Sequence, residues 1–436
     1  MGDQTQQMNT KGQIGIIGLG YVGLPLAVLA AQKGYSVRGY DVSEKTTKAI
    51  ENGTPLVDDV DGSVVTGLIE SGLLQVSTNS DQLREATIYI ICVPTPVSHE
   101  YEPDISYVEK ASVTVGKLLK TGDLVILEST VNPGVSEKIV LPKLIEHSGL
   151  VASKDFSLAH CPERINPGDP KWSVANINRV VGALDEQGLQ KSVAFYESIV
   201  DGAIKPMRNL KEAEAVKVVE NTFRDVNIAF VNELAMSFSQ LGIDVVNVID
   251  GAATKPFAFM PHYPGCGVGG HCIPVDPYYL IEYARQNGFE HTFLRESRRV
   301  NNSMPQFTVS LLEKALQEQT QQLKGAQVAV LGLAYKPGIS DCRESPAFEI
   351  IEALESGGAR VTSFDPYVLE RSTAKTLTDA LQSVRAVIVA TAHKEFLELS
   401  PQSLKEQGIE IVIDGRNCLS KEIFEEADIV YYGIGR

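Results

Sequence analysis

A glycine-rich turn between an apolar strand and a helix constrains the fold of this chain most. The stretch "QIGIIGLGYVGLPLAVLAAQKGYSVRGYDVS" predicts a buried strand, a tight turn, a helix and a second strand that ends at Asp41. The turn has G-x-G-x-x-G spacing, and its members are Gly18, Gly20, Tyr21, Val22 and Gly23. Such glycines let a backbone approach a pyrophosphate, which the helix N-terminus then faces. The stretch therefore predicts a dinucleotide-binding βαβ unit rather than an ordinary turn.

The end of the second strand indicates which dinucleotide binds. Asp41 stands where a carboxylate accepts hydrogen bonds from an adenosine ribose and repels a 2′-phosphate. This position favours NAD as the cofactor. Arg38 lies close enough in the sequence to keep NADP open as the alternative.

The strand-helix rhythm continues and then restarts late in the chain. The β-rich runs "ATIYIICVPTP", "DLVILEST" and "FSLAHCPE" each follow a helical stretch, which is typical of a parallel sheet with helices on both faces. From about residue 325 the pattern returns in "AQVAVLGLAYKPG", and Asp365 stands there as Asp41 does in the first copy. Only Gly332 remains of the three turn glycines, so this copy is expected to bind something other than an intact dinucleotide.

A long amphipathic helix is predicted between the two copies. Apolar residues recur in steps of three and four from residue 216 to residue 241, Asn209 and Glu212 resemble a capping box, and Gly242 is a plausible stop. The predicted class is α/β, with two Rossmann-like doubly wound domains joined by a long central helix and a helical dimerisation domain. The expected domains are 1–208 for dinucleotide binding, 209–310 as a helical dimerisation domain that also carries Cys272, and 311–436 as a second Rossmann-like domain.

Composition excludes several classes of protein. The 436 residues carry a formal net charge of −16, and no Lys and Arg cluster suggests nucleic-acid binding. No apolar run is long enough to span a membrane, and the polar N-terminus lacks the apolar core of a signal peptide. The scattered cysteines have no zinc or disulfide spacing, so no metal site and a reducing, cytoplasmic location are expected. They are Cys92, Cys161, Cys266, Cys272, Cys342 and Cys418.

One of these cysteines lies in an unusual setting, "GCGVGGHCIPVDP". A buried cysteine in a turn is the ordinary interpretation of Cys272. Asp276 and Pro277 form a good N-cap and first-turn pair, however, and a helix N-terminus stabilises a thiolate. Glycines at 267, 269 and 270 would let a substrate approach the backbone closely. Cys272 is therefore a candidate nucleophile, whereas Asp276 alone is as well explained by capping.

Two polar residues share one face of the long helix. Lys217 and Asn221 stand four residues apart, beside the apolar stripe. Taken alone, the pair is better explained as a solvated helix edge than as part of a site.

The G-x-G-x-x-G turn, the Lys-x-x-x-Asn helix and "GGHCIPVDPYYL", in this order over nearly the whole chain, resemble the nucleotide-sugar 6-dehydrogenases. That family comprises UDP-glucose and UDP-N-acetylhexosamine dehydrogenases. The wording "GGHCIPVDP", with "PERINPGD" and "KPFAFMPHYPG", resembles the UDP-N-acetylhexosamine branch, because UDP-glucose enzymes usually carry "GGSCF" or a close variant. The resemblance implies four-electron oxidation of the sugar C6 hydroxyl by two NAD molecules, through a cysteine thiohemiacetal and thioester.

The resemblance also implies a role for each matching residue. Cys272 matches the nucleophile, Lys217 and Asn221 the groups that stabilise oxyanions, and Asp276 a carboxylate that works with the hydrolytic water. Glu163 matches a residue implicated in acid–base work. Thr130 matches a water-holding threonine that also lies at the cofactor. Further cofactor residues would be Thr95 and Arg343, and further substrate residues would be Arg164, Gly269, Lys336 and Arg416.

The expected partners are a UDP-sugar substrate and a second copy of the chain in a homodimer that supplies uronic-acid sugars for surface polysaccharide. Three alternatives remain. A UDP-glucose 6-dehydrogenase would share the fold and the mechanism. A non-catalytic nucleotide-sugar binding protein would be expected to lack at least one catalytic residue, and a two-electron hydroxyacid dehydrogenase would need neither the thiol nor a third domain.

Overall fold

The computed structural model describes residues 11–57, 60–96, 103–165, 171–270 and 272–436. Expectations about the polar N-terminus at 1–10, about residues 166–169 of "PERINPGD" and about His271 lie outside the described residues. The chain divides into two compact units. The first comprises residues 1–220 with Tyr278–Tyr283, and the second comprises Asn221–Pro277 with Ala284–Arg436.

The first unit contains the predicted run of alternating strands and helices. Its strands are β1 (Gln13–Ile17), β2 (Ser36–Tyr40), β3 (Leu74–Ser77), β4 (Ile88–Ile91), β5 (Leu124–Leu127), β6 (Ser157–His160), β7 (Arg179–Ala183) and β8 (Ile204–Pro206). Its helices are α1 (Gly23–Gln32), α2 (Glu44–Glu51), α3 (Gly62–Glu70), α4 (Ser106–Gly116), α5 (Leu141–Ser148) and α6 (Glu186–Glu197), with a 3-10 turn at Ser80–Leu83 and a π turn at Ser136–Val140.

These strands form one sheet in the order β3-β2-β1-β4-β5-β6-β7-β8. Strands β1 to β6 are parallel, but β7 pairs with β6 in the antiparallel sense. A parallel return needs a crossover, and the described residues between β6 and β7 form no helix. Successive residues of β5 alternate between two cores, with Leu124 and Ile126 on one face and Val125 and Leu127 on the other.

The predicted long helix is α7 (Leu210–Leu241). Asn209 caps it, because its Oδ1 accepts the amide hydrogen of Glu212 at 2.9 Å. Gly242 follows the last helical residue with φ of +68°, as expected of a helix stop. Three helices follow: α8 (Val245–Ala253), α9 (Asp276–Gln286) and α10 (Thr292–Glu318). Within the described residues no helix is apolar enough over a sufficient length to cross a membrane.

The second unit contains the repeated fold. Its strands β9 (Gln327–Leu331), β10 (Arg360–Phe364), β11 (Ala386–Val389), β12 (Ile411–Asp414) and β13 (Val430–Gly433) form a parallel sheet in the order β10-β9-β11-β12-β13. Its remaining helices are α11 (Pro346–Ser356), α12 (Leu377–Leu381), α13 (Lys394–Leu397), α14 (Pro401–Glu406) and α15 (Lys421–Glu426). The predicted α/β class, with two doubly wound sheets and a long central helix, is confirmed.

The three predicted domain ranges remain a prediction. The contact division at Glu220 falls inside α7, and the expected boundary between residues 310 and 311 falls inside α10. A helix that continues through a boundary gives no sequence signal for it, because its periodicity is unbroken.

Candidate active site

The glycine turn after β1 forms an open cradle. Gly18 has φ of +92°, and a Cβ there would lie 2.7 Å from the carbonyl oxygen of Cys92. A Cβ on Gly23 would overlap the carbonyl oxygen of Gly18, whereas a Cβ on Gly20 would have no atom within 4 Å. Helix α1 begins at Gly23, and the side chain of its N-cap residue, Val22, makes no capping hydrogen bond. The open backbone at Gly20 beside a helix N-terminus fits a pyrophosphate.

Asp41 is fixed beside this cradle. Its Oδ2 accepts the amide hydrogen of Leu19 at 2.8 Å, and its Oδ1 accepts that of Ser43 at 2.9 Å. A carboxylate has enough lone pairs to accept ribose hydroxyls as well. Arg38 donates instead to the carbonyl of Val37 at 3.2 Å. The side chain that binds the glycine turn is therefore Asp41, the carboxylate expected at an NAD site, and not Arg38.

Thr95 and Thr130 follow the neighbouring strands β4 and β5, and the structure brings them together. Thr95 Oγ1 donates to the carbonyl oxygen of Thr130 at 2.8 Å. Tyr279 Oη donates to the carbonyl oxygen of Thr95 at 2.5 Å. Both threonines therefore lie at the carboxyl edge of the first sheet, which is also the edge of the glycine turn.

Glu163 follows β6 and is buried. Its Oε1 accepts the amide hydrogens of Arg164 at 2.6 Å and Ile165 at 2.8 Å, and its Oε2 accepts from Arg179 Nη2 at 2.8 Å. Burial raises the pKa of Glu163, but the charges of Arg179 and Lys217, together with the two amides, hold it below its ordinary value. A carboxyl group that stays ionised in this way is a poor proton donor.

Arg179 bridges Glu163 to a second buried carboxyl, Glu128. Arg179 Nη1 lies 3.2 Å from Glu128 Oε1, and Tyr196 Oη donates to the same oxygen at 2.5 Å. Burial raises the pKa of Glu128 to about 7, although the charge of Arg179 opposes this shift. This cluster was not predicted from the sequence. The available signal was a charged residue beside each of two apolar strands, Glu128 directly after β5 and Arg179 at the start of β7, since buried charges are normally paired.

The loop after β6 is joined to the start of α7. Lys217 is half-buried, and its Nζ donates to the carbonyl oxygen of Glu163 at 2.5 Å. Arg164, expected at the substrate, forms a bidentate ion pair with Glu220, in which its Nε lies 3.0 Å from Glu220 Oε2. The structure thus brings Lys217 to Glu163 and gives Arg164 a carboxylate partner.

Cys272 lies half-buried in the turn before α9. Its carbonyl oxygen accepts the amide hydrogens of Val275 at 3.1 Å and Asp276 at 2.8 Å, so the residue stands at the N-terminus of α9 as expected. The N-cap is Val275, however, and not Asp276. Asp276 Oδ2 accepts instead from Asn221 Nδ2 at 2.5 Å, which joins two of the predicted catalytic residues.

Four of the other cysteines have thiols whose pKa is raised by burial. Burial raises the pKa of the thiols of Cys92, Cys266 and Cys418, and it raises the pKa of Cys161 to about 12. These four thiols stay protonated near neutral pH and are poor nucleophiles.

Residues 265–270, here called the glycine segment, precede the nucleophile. Gly267 has φ of +137°, and a Cβ there would lie 2.7 Å from Pro346 Cβ. A Cβ on Gly269 would lie 2.7 Å from Tyr335 Cβ, and one on Gly270 would lie 3.0 Å from the Tyr335 ring. The glycines at 267, 269 and 270 were expected to let a substrate approach the backbone. The space beside them is instead filled by side chains of this chain, Pro346 and Tyr335.

The basic residues expected at the nucleotides lie at the second sheet. Lys336 is half-buried in the turn after β9. Arg343 donates from Nε to Asp341 Oδ1 at 2.9 Å and from Nη2 to Asp341 Oδ2 at 2.5 Å. Arg416 donates from Nε to the carbonyl of Ala390 at 2.7 Å and from Nη1 to that of Gly267 at 3.4 Å.

Comparison with known proteins agrees with this arrangement. The UDP-glucose/GDP-mannose dehydrogenase family matches with its NAD binding domain at residues 12–200, its central domain at 211–303 and its UDP binding domain at 329–421. A UDP-N-acetyl-D-mannosamine dehydrogenase of Pyrococcus horikoshii is 38% identical over 427 residues, which are 97% of this chain and 99% of the relative. A UDP-N-acetyl-D-glucosamine 6-dehydrogenase of Pseudomonas aeruginosa is 36% identical over 91% of this chain and 94% of its own.

The fold also matches solved structures. A UDP-D-ManNAc dehydrogenase structure from Pyrococcus horikoshii superimposes with a TM-score of 0.91 at 38% identity, over 97% of this chain and 99% of the other.

This chain combines three features: an NAD cradle, a half-buried thiol at a helix N-terminus and a second nucleotide-binding fold. Together they define a dehydrogenase of nucleotide-linked substrates. The chain belongs to the UDP-glucose/GDP-mannose dehydrogenase family, which confirms the resemblance drawn from its motifs. NAD is its cofactor and a UDP-sugar is its substrate.

Proposed function

We propose that the chain oxidises the C6 hydroxyl of a UDP-N-acetylhexosamine (GlcNAc, ManNAc or GalNAc) to the carboxylate, through Cys272. The observation that carries the proposal is the half-buried thiol before α9, with Asp276 four residues later bound to Asn221. The choice of an N-acetylated sugar is supported by the named activities of the relatives, a UDP-N-acetyl-D-mannosamine dehydrogenase and a UDP-N-acetyl-D-glucosamine 6-dehydrogenase.

The reaction requires a nucleophile because an aldehyde cannot release a second hydride directly. The C6 alcohol first loses a hydride and a proton and becomes an aldehyde. The Cys272 thiolate adds to the aldehyde carbon to form a thiohemiacetal, which loses a second hydride and a proton and becomes a thioester. Water then attacks the thioester and displaces the thiolate, and the UDP-sugar is released with a carboxylate at C6. The cradle from Gly18 to Gly23 would hold NAD, which when bound would supply the acceptor for each of the two hydrides in turn.

Lys217 and Asn221 stabilise the oxygen of C6 as it gains negative charge. They lie one helical turn apart on α7, and both carry N–H donors. Asp276 orients the Asn221 amide through their hydrogen bond, and its carboxylate accepts a proton from the water that attacks the thioester.

The first sheet supplies further groups. We infer that Thr130 holds a water and contacts the cofactor, with Thr95 beside it. Glu163 is proposed for acid–base work, in which its ionised carboxylate acts as a base. Its backbone carbonyl oxygen also accepts a hydrogen bond from the Lys217 ammonium and so positions that group.

The second sheet holds the nucleotide part of the substrate. Lys336 and Arg416 supply positive charge for the UDP diphosphate. Arg343, whose guanidinium is paired with Asp341, is proposed at the cofactor. Gly269 and Arg164 complete the proposed substrate residues.

Incubation with separate UDP-sugars tests the proposed substrate. Purified protein receives NAD and the UDP derivative of GlcNAc, ManNAc, GalNAc or glucose, while NADH is followed and the product mass is measured. We expect turnover of an N-acetylated sugar to its uronate with little turnover of UDP-glucose. Turnover of UDP-glucose alone would leave the mechanism intact and overturn the proposed sugar. Cys272→Ala should release no uronate from any of these sugars. Cys418→Ala, which removes a thiol that stays protonated, is its matched control.

We also propose that the enzyme works as a homodimer. Phe223 and Phe230 on α7 are 48% and 53% exposed, and Phe257 and Met260 after α8 are 67% and 64% exposed. The Phe223 ring packs edge-on against His262 at 6.1 Å, so the two segments form one apolar patch. Such a patch favours burial in an interface. A second copy is the occupant we favour, because Phe223 and Phe230 stand seven residues apart on one face of α7, and such a face can pack against its own copy.

We place the activity in the cytoplasm. Cys272 must be a free thiol to attack an aldehyde, and a compartment buffered by reduced glutathione keeps it so.

A further inference from the structure

A buried carboxylate in the second sheet takes the place that Asp41 holds in the first. Asp365 follows β10 and is fully buried. Its Oδ2 accepts the amide hydrogens of Leu333 at 2.6 Å and Ala334 at 2.8 Å, and it also lies 3.0 Å from His393 Nε2. A carboxylate that could serve a ribose is therefore fully engaged by the protein.

His393 connects this carboxylate to the far end of the same turn. The amide of Gly338 donates to His393 Nδ1 at 3.1 Å, so Nε2 carries the hydrogen that is donated to Asp365. The Tyr367 ring stacks on the imidazole at 4.8 Å. Residues 333–338, here called the Lys336 turn, are thus held at both ends by one buried pair. Lys336 stands between the two points of attachment.

The Lys336 turn also contacts the glycine segment. Tyr335 fills the space beside Gly269 and Gly270, where any Cβ would meet its side chain. The amide of Gly270 donates to the carbonyl of Arg343 at 3.0 Å. A shift of the Lys336 turn would therefore displace the backbone two residues before Cys272.

The opposite end of the glycine segment is bound to the same sheet. The amide of Cys266 donates to the carbonyl of Gly415 at 2.9 Å, and Arg416 Nη1 donates to the carbonyl of Gly267 at 3.4 Å. Gly415 and Arg416 follow β12. The segment lies across the carboxyl edge of a doubly wound sheet, which is where such folds bind nucleotides.

We propose that His393 is a positioning residue that, through Asp365 and the Lys336 turn, places both Lys336 for the UDP diphosphate and the glycine segment that leads to Cys272. The inference rests on the proposed function, since it takes Lys336 as a UDP ligand and Cys272 as the nucleophile. It gives a role to an aspartate that follows β10 although the neighbouring turn has only Gly332 of the three turn glycines. The aspartate organises a turn that binds a nucleoside diphosphate from one side and supports the thiol segment on the other.

Two variants of His393 test this proposal in the full chain. His393→Ala removes both hydrogen bonds, whereas the Oδ1 atom of His393→Asn can still accept from Gly338. We expect His393→Ala to raise the Kd for UDP by about tenfold, which matches the loss of one charge-assisted hydrogen bond, and His393→Asn to raise it by about threefold. At saturating UDP-sugar, kcat of His393→Ala should also fall by about tenfold. The Kd for NAD should stay unchanged.

Phe424→Leu is the control for loss of stability. Phe424 is buried in the apolar core that also contains Phe396, and it makes no bond to the Lys336 turn. We expect this variant to lower the Tm without changing the Kd for UDP. Phe424→Leu and His393→Ala are compared where both lower the Tm by the same amount. If Phe424→Leu then weakens UDP binding as much as His393→Ala does, His393 has only a structural role and the proposal fails.

Two other results would also overturn the proposal. Wild-type affinity for UDP in His393→Ala would refute the role towards Lys336, and a raised Kd with unchanged kcat would refute the connection to Cys272. Failure of the two assignments on which the proposal rests is distinguishable. Lys336→Ala would then leave the Kd for UDP unchanged, or Cys272→Ala would still release the uronate, whatever the His393 variants do.

Discussion

At the scale of single residues, His160 shows how strongly burial acts in the first unit. It ends β6, its ring is fully buried, and among the described residues neither ring nitrogen has a hydrogen-bond partner. Burial lowers the pKa of His160 to about 3. Below about pH 6.5 the unfolded chain protonates this ring and the folded protein does not. Above that pH the ring is neutral in both states and does not change the free energy of unfolding. As the pH falls from there towards 3, protons bind only the unfolded chain, so the free energy of unfolding decreases.

His160→Leu should remove this pH dependence. Between pH 7 and pH 5 we expect the free energy of unfolding of the wild-type protein to fall by about 2 kcal/mol more than that of the variant. Urea titrations of both proteins at the two pH values provide the measurement. An equal fall in both proteins would show that His160 is protonated in the folded state.

Gly270→Ala should impair catalysis while leaving the cofactor site intact. Gly270 has φ of +90°, and an added Cβ would lie 3.0 Å from the Tyr335 ring, so the segment before Cys272 must shift. We expect kcat to fall by at least about tenfold with no change in the Kd for NAD. Gly251→Ala is the control, since no atom lies within 4 Å of a Cβ there. An unchanged kcat in Gly270→Ala would contradict the importance of this packing.

The sequence was most informative where one residue type satisfies a local requirement. The glycines of the dinucleotide turn, Asp41 beside it and Cys272 before α9 could all be placed from spacing. The Glu128–Arg179–Glu163 cluster and the His393–Asp365 pair could not, because their members lie on strands and turns distant in sequence. Only the folded sheet brings them within hydrogen-bond distance.

At the scale of elements, local signals located helix ends better than strand directions. The predicted cap at Asn209 and stop at Gly242 match the bounds of α7, since caps act within a few residues. The antiparallel direction of β7 was not predicted, because a run of apolar residues does not record its partner.

Asn209→Ala tests the cap of α7. Loss of the bond to the Glu212 amide should lower the free energy of unfolding by about 1 kcal/mol, and Asn209→Ser should retain most of it. Urea titration of the three proteins measures the difference. Equal stability of the alanine variant would mean that α7 is held by packing alone.

At the scale of the whole molecule, the chain repeats one fold and assigns different ligands to the two copies. In the first copy Asp41 binds the amide of Leu19 and leaves the turn open at Gly20, whereas in the second Asp365 binds the amides of both Leu333 and Ala334. The matching family domains assign NAD to the first sheet and UDP to the second.

Phe230→Asp should separate the proposed dimer. A charge placed in an apolar interface without a partner is costly, so the mass by light scattering after gel filtration should fall from that of two chains to that of one. Leu369→Asp is the control, because that exposed apolar residue lies outside the patch. A wild-type protein that elutes as a single chain would refute the dimer.

The central claim is oxidation through a covalent bond to Cys272, and the ratio of NADH formed to sugar consumed tests it most directly. With limiting UDP-N-acetylhexosamine, the wild-type protein should form about two NADH per sugar and release the uronate. Cys272→Ala should release no uronate, while Cys418→Ala behaves as the wild type. One NADH per sugar in the wild type, or free uronate at normal turnover from Cys272→Ala, would contradict the mechanism.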